Sequence, residues 1–181
     1  WVASNISKRH DLEIRLRELG DTDQLTGLFN RRKLEHELTL DYESYVRYSV
    51  PTSILMLDLD NLKKINDSKG HHVGDEAIRA VANILRSTLR KTDCACRLGG
   101  DEFVVALPNT EHEQAIQFAK RIHDSSKKEL SQFSVDSSVV TVSIGVTVIV
   151  PEDRSYKDTI KRADLALYEA KNAGKDRIVS A

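Results

Sequence analysis

Two acidic motifs in this sequence have residue types and spacing that could do chemistry together. The first is Asp101-Glu102, which follows Gly99-Gly100 and lies between short apolar runs at residues 94–96 and 103–107. This pattern predicts a β-hairpin with the glycines at its tip. Glycine permits a positive φ and carries no side chain, so a ligand could approach the backbone there. From these residues alone, an ordinary solvent-exposed turn is an equal alternative.

The second motif is Asp58-Leu59-Asp60, at the end of an apolar run that begins at residue 54. Such a run predicts a strand buried on both faces, whose terminal carboxylates could converge with those of a neighbouring hairpin. Carboxylate oxygens suit Mg²⁺, which also takes substrate phosphates and water. Such ions can activate a hydroxyl and stabilise a leaving group in phosphoryl transfer. The alternative is that these acids merely end a strand.

Composition bounds the class of protein. The 181 residues are 40% hydrophobic and 30% charged, which is typical of a globular domain with a real core. The net charge of −1 argues against bulk binding to nucleic acid, and no apolar run is long enough to span a membrane. Cys94 and Cys96 would share one face of a strand, as small core residues in a reducing compartment. The sequence therefore predicts a cytoplasmic location and no nucleic-acid partner.

Hydrophobic periodicity predicts an α+β fold. Asn30 would cap a helix that ends near Tyr48, and further amphipathic helices are expected over 76–90, from a capping box at 110–113 to about 128, and over 157–172. Strands are expected at 54–60, in the hairpin, at 139–148 and at 178–179. We expect a four- to five-stranded, mostly antiparallel sheet flanked by helices. Residues 8–19 form either a short coiled-coil seam or a helix that folds back on the domain.

Polar residues outside the acidic motifs could bind an anionic nucleotide. Lys63 could neutralise phosphate, Asn66 suits a nucleobase edge, and Asp75 could accept two guanine N–H bonds or cap the next helix. Lys171 and Lys175 could meet phosphate charge or favour the C-terminal dipole of the last helix. The Arg90–Asp93 pair is either a local salt bridge or a patch that binds anions or guanine.

Taken together, these motifs resemble the GGDEF family of diguanylate cyclases. Residues 99–103 reproduce the signature letter for letter, and residues 23–32 resemble the opening motif of the family. Segments 58–75, 143–146 and 163–175 resemble its later blocks, in order and at the family's spacing. Leu62 and Leu98 depart from the pattern, because aromatic residues are usual at both positions. The resemblance covers about residues 21–181.

This resemblance implies a palm-like fold, similar to ferredoxin-like and nucleotidyl cyclase folds, that joins two GTP into cyclic di-GMP with release of two pyrophosphates. Residues 21–181 would be the catalytic domain, and residues 1–20 would be the end of an upstream sensor domain and a signalling helix. Asp58, the Leu59 carbonyl and Asp101 would hold Mg²⁺ or Mn²⁺. Asp58, Asp101 and Glu102 would be catalytic.

The resemblance also implies how the substrate and product would bind. The substrate residues would be Lys63, Asn66, Asp75, Gly99, Gly100, Lys171 and Lys175. Arg90 and Asp93, with Arg121 as a second arm, would form an inhibitory site for cyclic di-GMP. Catalysis would need a homodimer, because each domain holds one GTP. A catalytically silent module that binds GTP or cyclic di-GMP is the alternative, although the intact acids argue against it.

Overall fold

The computed structural model describes residues 20–134 and 139–181, and the expectations for residues 1–19 lie outside the described residues. The helices are α1 (Arg31–Tyr48), α2 (Leu62–Lys69), α3 (His71–Thr88), α4 (His112–Leu130) and α5 (Tyr156–Asn172), with a 3₁₀ turn at Ser131–Phe133. The strands are β1 (Thr52–Asp60), β2 (Cys94–Gly99), β3 (Glu102–Pro108), β4 (Thr141–Val148) and β5 (Ile178–Ser180). None of the described helices has the length and apolar character needed to cross a membrane.

The strands form one sheet in the order β2-β3-β1-β4-β5. Neighbouring strands run antiparallel except β4 and β5, which are parallel. The predicted hairpin is present as β2 and β3, and β1 lies at the centre of the sheet, buried along its whole length. The expectation of a mostly antiparallel sheet flanked by helices is therefore confirmed.

Side chains of β1 alternate between two hydrophobic layers, as the pleat of a strand requires. Leu55, Leu57 and Leu59 pack against α2, α3 and α4, whereas Ile54 and Met56 pack against α1 and α5. The same alternation turns Asp58 and Asp60 toward the face that carries α1 and α5. Strand periodicity thus decides which helices can reach the acidic end of β1.

Local sequence explains where α1 begins and how α5 packs. The Asn30 side chain accepts a hydrogen bond from the Lys33 N–H, which confirms the predicted N-cap. On β4, a Cβ at Gly145 would lie 2.2 Å from the Ala163 carbonyl oxygen and 2.4 Å from the Leu167 nitrogen. Glycine is therefore required at this position for α5 to lie directly on the sheet.

Buried thiols fill the layer on the α1 side of the hairpin. Cys94 and Cys96 are both free and buried, and burial raises the pKa of each thiol to about 12. A thiol with so high a pKa stays protonated and unreactive at neutral pH. Their predicted role as small core residues is confirmed.

Two predicted boundaries were wrong. The helix predicted over 76–90 begins at His71, and the polar segment before it holds a further helix, α2, that was not predicted. Gly70, at φ +86°, separates these two helices, and the first turn of α3 is too polar to show hydrophobic periodicity. The capping box also lies one residue later than predicted, since Glu111 pairs with Gln114.

Candidate active site

The two acidic motifs meet at one end of the sheet. In the β1–β3 pairing, Asp58 lies opposite Glu102, and the Leu59 N–H donates to the Asp101 carbonyl oxygen over 3.1 Å. The hairpin tip and the end of β1 are therefore joined by backbone hydrogen bonds. The hydrogen-bond ladder between the strands therefore holds the carboxylates of both motifs at this edge, although the motifs are far apart in the sequence.

Asp58 is buried, with 5% of the residue exposed. Burial raises its pKa to about 6, the nearby Asp101 charge acts in the same direction, and Lys171 opposes both. The Lys171 Nζ lies 2.7 Å from the Asp58 Oδ2. Burial by itself would lower the pKa of Lys171, but the hydrogen bond and charge of Asp58 raise it. The lysine predicted to meet phosphate therefore neutralises Asp58 in this structure.

Asp60, the other acid of the motif, has a different environment. Its carboxylate accepts hydrogen bonds from the Thr141 hydroxyl at 2.7 Å and the Ser143 hydroxyl at 2.9 Å. The Asp176 N–H also donates to it, over 3.2 Å. These bonds tie β1 to β4 and to the segment before β5, so Asp60 holds the sheet together at the end where Asp58 lies. The sequence pattern alone did not separate these two roles.

The glycines at the hairpin tip adopt positive φ angles that other residues rarely adopt. Gly99 has φ +148° and Gly100 has φ +55°, and a Cβ on either would meet no atom within 4 Å. The space above the turn is therefore open to a ligand, as the sequence predicted for Gly99 and Gly100.

Arg97 holds this turn, and sequence reasoning missed it. Its guanidinium donates to the Gly100 carbonyl oxygen from Nε at 3.0 Å and from Nη2 at 2.8 Å. The Nη1 atom pairs with the Asp23 carboxylate at 3.3 Å. Burial would raise the pKa of Asp23, but hydrogen bonds from Thr26 and the Arg97 charge lower it. Asp23 lies in the opening motif, 74 residues before Arg97. The only signal for this pairing in the sequence was the acidic side chain of Asp23, which could pair with any cationic residue.

Asn66 on α2 and Gly74 on α3 lie side by side where the two helices meet. The Asn66 Oδ1 is closed to solvent and has no hydrogen-bond partner among the described residues. A Cβ at Gly74 would lie 1.9 Å from this oxygen and 3.2 Å from Leu62 Cδ1. Asp75 follows inside α3, half-buried, so the prediction that it might cap this helix was wrong. Lys63 is exposed one turn before Asn66 on α2.

Lys175 reaches the same end of the sheet from the segment after α5. Its Nζ donates to the Asn61 Oδ1 over 2.9 Å, and Asn61 follows directly on β1. The backbone of Lys175 is left-handed, with φ +64°, after Gly174 at φ +112°. Lys171 and Lys175 therefore approach the acidic end of β1 from adjacent turns of the chain.

Arg90 and Asp93 form a turn rather than the side-chain salt bridge that was one alternative. The Asp93 Oδ2 accepts a hydrogen bond from the Arg90 N–H at 2.8 Å, and the Asp93 N–H donates to the Arg90 carbonyl at 3.1 Å. A cavity of about 300 Å³ lies beside this turn; its lining includes Arg86, Arg90, Lys91 and Asp93. Arg121 does not line it, and stacks instead on the Phe118 ring at 5.3 Å.

The donors for a divalent metal are few but suitable. The described part of the chain contains no group of three or more His, Cys, Asp and Glu side chains that could hold a metal ion. Asp58, Asp101 and the Leu59 carbonyl would supply oxygen ligands only. This set fits Mg²⁺, which is usually bound by one or two carboxylates and completed by water and substrate phosphates. The open turn at Gly99 and Gly100 leaves room for those phosphates.

An antiparallel sheet with acids at one end, a glycine turn and flanking lysines is the arrangement of a nucleotide-binding palm domain. Residues 20–177 match the family described as diguanylate cyclase, GGDEF domain. This chain belongs to that family, and the resemblance read from its sequence is confirmed.

Named relatives agree with this assignment. The "Probable diguanylate cyclase DgcC" of Escherichia coli strain K12 is 37% identical over 178 residues, covering 98% of this chain and 48% of the relative. The response regulator PleD of Caulobacter vibrioides is 40% identical over 164 residues, covering 90% of this chain and 36% of PleD. The chain thus spans less than half the length of these relatives.

Solved structures agree as well. The coiled coil and GGDEF domain of DgcB from Caulobacter crescentus, in complex with c-di-GMP, has a TM-score of 0.88 at 27% identity, covering 99% of this chain and 95% of that one. Diguanylate cyclase SiaD from Pseudomonas aeruginosa, in complex with its activator SiaC, has a TM-score of 0.84 at 36% identity, covering 99% of this chain and 70% of SiaD. The palm-like fold is therefore shared with GGDEF domains.

Proposed function

We propose that this chain is an active diguanylate cyclase domain, which joins two GTP into cyclic di-GMP with release of two pyrophosphates. The observation that carries this proposal is the pairing of β1 with β3, which brings Asp58 beside Asp101-Glu102 under an open glycine turn. A receptor that only binds nucleotide has no need for metal-binding acids at this position. Nucleotidyl transfer needs them, because charge must be stabilised on both the attacking and the leaving oxygen.

The junction of α2 and α3 would bind the guanine base. The Asn66 Oδ1 has no hydrogen-bond partner among the described residues, so a guanine N–H that reaches it would satisfy this oxygen. The Asp75 carboxylate would accept further guanine N–H bonds and repel the acceptor at adenine N1. Lys63, Lys171 and Lys175 would neutralise the triphosphate, which lies against the Gly99-Gly100 turn.

The acidic end of β1 would carry the reaction. Asp58, Asp101 and the Leu59 carbonyl would hold Mg²⁺ or Mn²⁺, and such an ion, when bound, supplies positive charge to the triphosphate and lowers the pKa of a nearby hydroxyl. Asp101 or its metal-bound neighbourhood would assist deprotonation of the attacking 3′-hydroxyl. The new bond joins that oxygen to the α-phosphorus, the bond to the β-phosphate breaks, and pyrophosphate leaves. Glu102 would lie beside Asp101, and Lys171 would keep Asp58 ionised.

Two copies of the domain would be required. Each holds one GTP, so the 3′-hydroxyl bound by one copy must reach the α-phosphate bound by the other. An upstream sensor domain would set the geometry of this homodimer. Cyclic di-GMP would also bind at Arg90, Asp93 and Arg121 and slow the reaction.

The test is incubation with GTP and Mg²⁺ at several protein concentrations, with products separated by chromatography. We expect cyclic di-GMP at a rate that rises more steeply than linearly with protein concentration. Asp101→Ala should abolish turnover, whereas Asp124→Ala, which removes an exposed acid on α4, should not. Turnover by the Asp101 variant would refute its role.

Absence of product needs one more experiment to interpret. If cyclic di-GMP binds but none is made, the chain should next be fused to a leucine zipper. Activity of the fused dimer would show that the chain alone only lacked its partner. If the fused dimer is also inactive, the chain is the silent binding module.

A further inference from the structure

The segment after α5 has an unusual backbone. Gly174, Lys175 and Asp176 all lie in the positive-φ region, at +112°, +64° and +49°. For residues other than glycine, this conformation is unfavourable, because the Cβ comes too close to the following carbonyl oxygen. Two such residues in succession persist only where the surrounding structure holds them. The contacts of Lys175 and Asp176 are therefore informative.

Asp176 is held from three directions. Its N–H donates to the buried Asp60 carboxylate over 3.2 Å. On its side chain, the His123 Nε2 lies 2.9 Å from Oδ1 and the Lys127 Nζ lies 3.2 Å from Oδ2. His123 and Lys127 are four residues apart on α4, so they share one face of that helix. Two cationic or polar groups from α4 thus converge on one carboxylate.

His123 is the more buried of the two groups. Its side chain is 12% exposed, whereas that of Lys127 is 49% exposed and largely screened by water. The His123 Nε2 and Asp176 Oδ1 are both closed to solvent, and neither has an aligned hydrogen bond within the described ranges. At 2.9 Å, each of these atoms has the other as a close polar neighbour.

The backbone of Lys175 is fixed directly before Asp176 in the chain. The Lys175 N–H donates to the Ala170 carbonyl at 3.0 Å, and its carbonyl accepts from Arg177 Nε at 3.0 Å. With both backbone groups fixed, the side chain extends to Asn61, at the end of β1. The lysine side chain is flexible. Because its backbone is already fixed, less conformational entropy is lost when the ammonium group binds a phosphate.

We propose that His123, assisted by Lys127, is a positioning residue that acts through Asp176 to aim Lys175 at the nucleotide triphosphate. This inference rests on the proposed function, since it requires a triphosphate at the acidic end of β1. It makes α4, which supplies none of the acids or lysines of the site, part of the substrate-binding apparatus. Sequence comparison of the motifs alone would not reveal this, because His123 lies outside every one of them.

The test measures the Kd of a non-hydrolysable GTP analogue with Mg²⁺ by calorimetry. His123→Gln should weaken binding about threefold to tenfold, the range expected for loss of one partly buried polar contact. Lys175→Met should weaken it at least as much, and the double variant should be no weaker than Lys175→Met alone. Lys128→Met, which removes an exposed lysine next to Lys127, should bind as the wild type does.

A second variant guards against a merely structural effect. Asp176→Asn removes the charge but keeps a residue that adopts the left-handed conformation readily. It should reproduce the loss of affinity at an unchanged melting temperature, and amide exchange at residues 175–176 should accelerate in both the Asp176 and the His123 variants. These exchange rates need no nucleotide.

The outcomes separate the two proposals. Unchanged affinity in His123→Gln, or losses that multiply in the double variant, would overturn the positioning role. A wild-type chain that binds the analogue but makes no cyclic di-GMP, even when fused to a leucine zipper, would overturn the proposed function alone. A wild-type chain that binds no analogue would overturn both.

Discussion

At the scale of single residues, the position of Asn66 between α2 and α3 depends on the absence of one side chain. Gly74 lies inside a helix, where alanine would ordinarily be favoured by about 1 kcal/mol. Here, however, a Cβ would lie 1.9 Å from the Asn66 Oδ1. Glycine therefore makes room for the Asn66 amide, and this packing rather than helix propensity explains its presence.

We expect Gly74→Ala to impair nucleotide binding without unfolding the protein. The new methyl group displaces the end of a flexible side chain, which can rotate away, so the melting temperature should change little. Loss of the Asn66 contact should raise the KM for GTP about tenfold, the effect of roughly 1.4 kcal/mol. Steady-state kinetics and thermal unfolding measure the two quantities.

Arg79→Ala, at an exposed position on the same helix, is the matched control. An unchanged KM in Gly74→Ala would mean that Asn66 does not contact the base.

At the scale of elements, the site depends on how closely α5 lies on β4. Lys171 can reach Asp58 only because α5 packs directly over Gly145. The atoms opposite this glycine belong to the backbone of α5, which cannot move without displacing the whole helix. Packing at one residue of β4 thus sets the position of a charged group on another element.

Gly145→Ala should therefore destabilise the fold strongly. Overpacking in a filled core costs about 1–3 kcal/mol, and the backbone contacts place this substitution at the upper end of that range. Urea unfolding followed by circular dichroism measures the loss. Gly20→Ala is the control, because its Cβ would meet only the guanidinium of Arg32. Equal stability of these two variants would contradict the packing argument.

A buried ion pair fixes the start of α5. Asp153 accepts hydrogen bonds from the Val150 N–H at 3.0 Å and the Thr159 hydroxyl at 2.8 Å, and it pairs with Arg162. Burial would raise the pKa of Asp153, but the Arg162 bond and these donors lower it below 3.8. The carboxylate is therefore stabilised in its charged form.

Asp153→Asn should lower the free energy of unfolding at pH 7 by about 3 kcal/mol, because it leaves Arg162 without its partner. Since the pKa is lowered on folding, the stabilisation is fully present above the ordinary value of 3.8 and is lost as the pH falls through the folded value. The difference between wild type and variant should therefore shrink in acid. Glu152→Gln, an exposed neighbour, should show no difference at either pH.

At the scale of the whole molecule, the cavity beside the Arg90–Asp93 turn is separate from the acidic end of the sheet. Its lining combines three cationic side chains with one acid. This combination suits an anionic ligand that also carries purine bases. The Asp93 carboxylate is engaged with the Arg90 backbone, so the Arg90 guanidinium makes no ion pair with Asp93 in this structure. That leaves the guanidinium available to a ligand.

Arg90→Ala should raise the concentration of cyclic di-GMP that halves the initial rate, by about tenfold or more for a charged bidentate contact. Initial rates at increasing product concentrations measure this. Arg121→Ala should act in the same direction if Arg121 leaves Phe118 to meet the ligand. Lys120→Ala is the exposed neighbour for comparison. Unchanged inhibition in Arg90→Ala would mean that the Arg90–Asp93 turn has only a structural role.

Much of this protein could be predicted from its sequence. The hairpin, the buried strand before Asp58, the Asn30 cap and the mostly antiparallel sheet follow from periodicity and turn residues, which act over a few positions. Motif spacing was enough to identify the family. The polar first turn of α3 was missed, because a helix that exposes its first turn shows no apolar repeat there.

Other features depended on the tertiary structure, because they join residues far apart in the chain. Asp58 and Asp60 look equivalent in sequence, yet one contacts Lys171 and the other accepts bonds from Thr141 and Ser143. Arg97 and His123 contact Asp23 and Asp176 only because folding brings these residues together. Local sequence determines which residues can form strands, turns and caps. The choice of long-range partner depends on sheet register and helix packing, which no short segment contains.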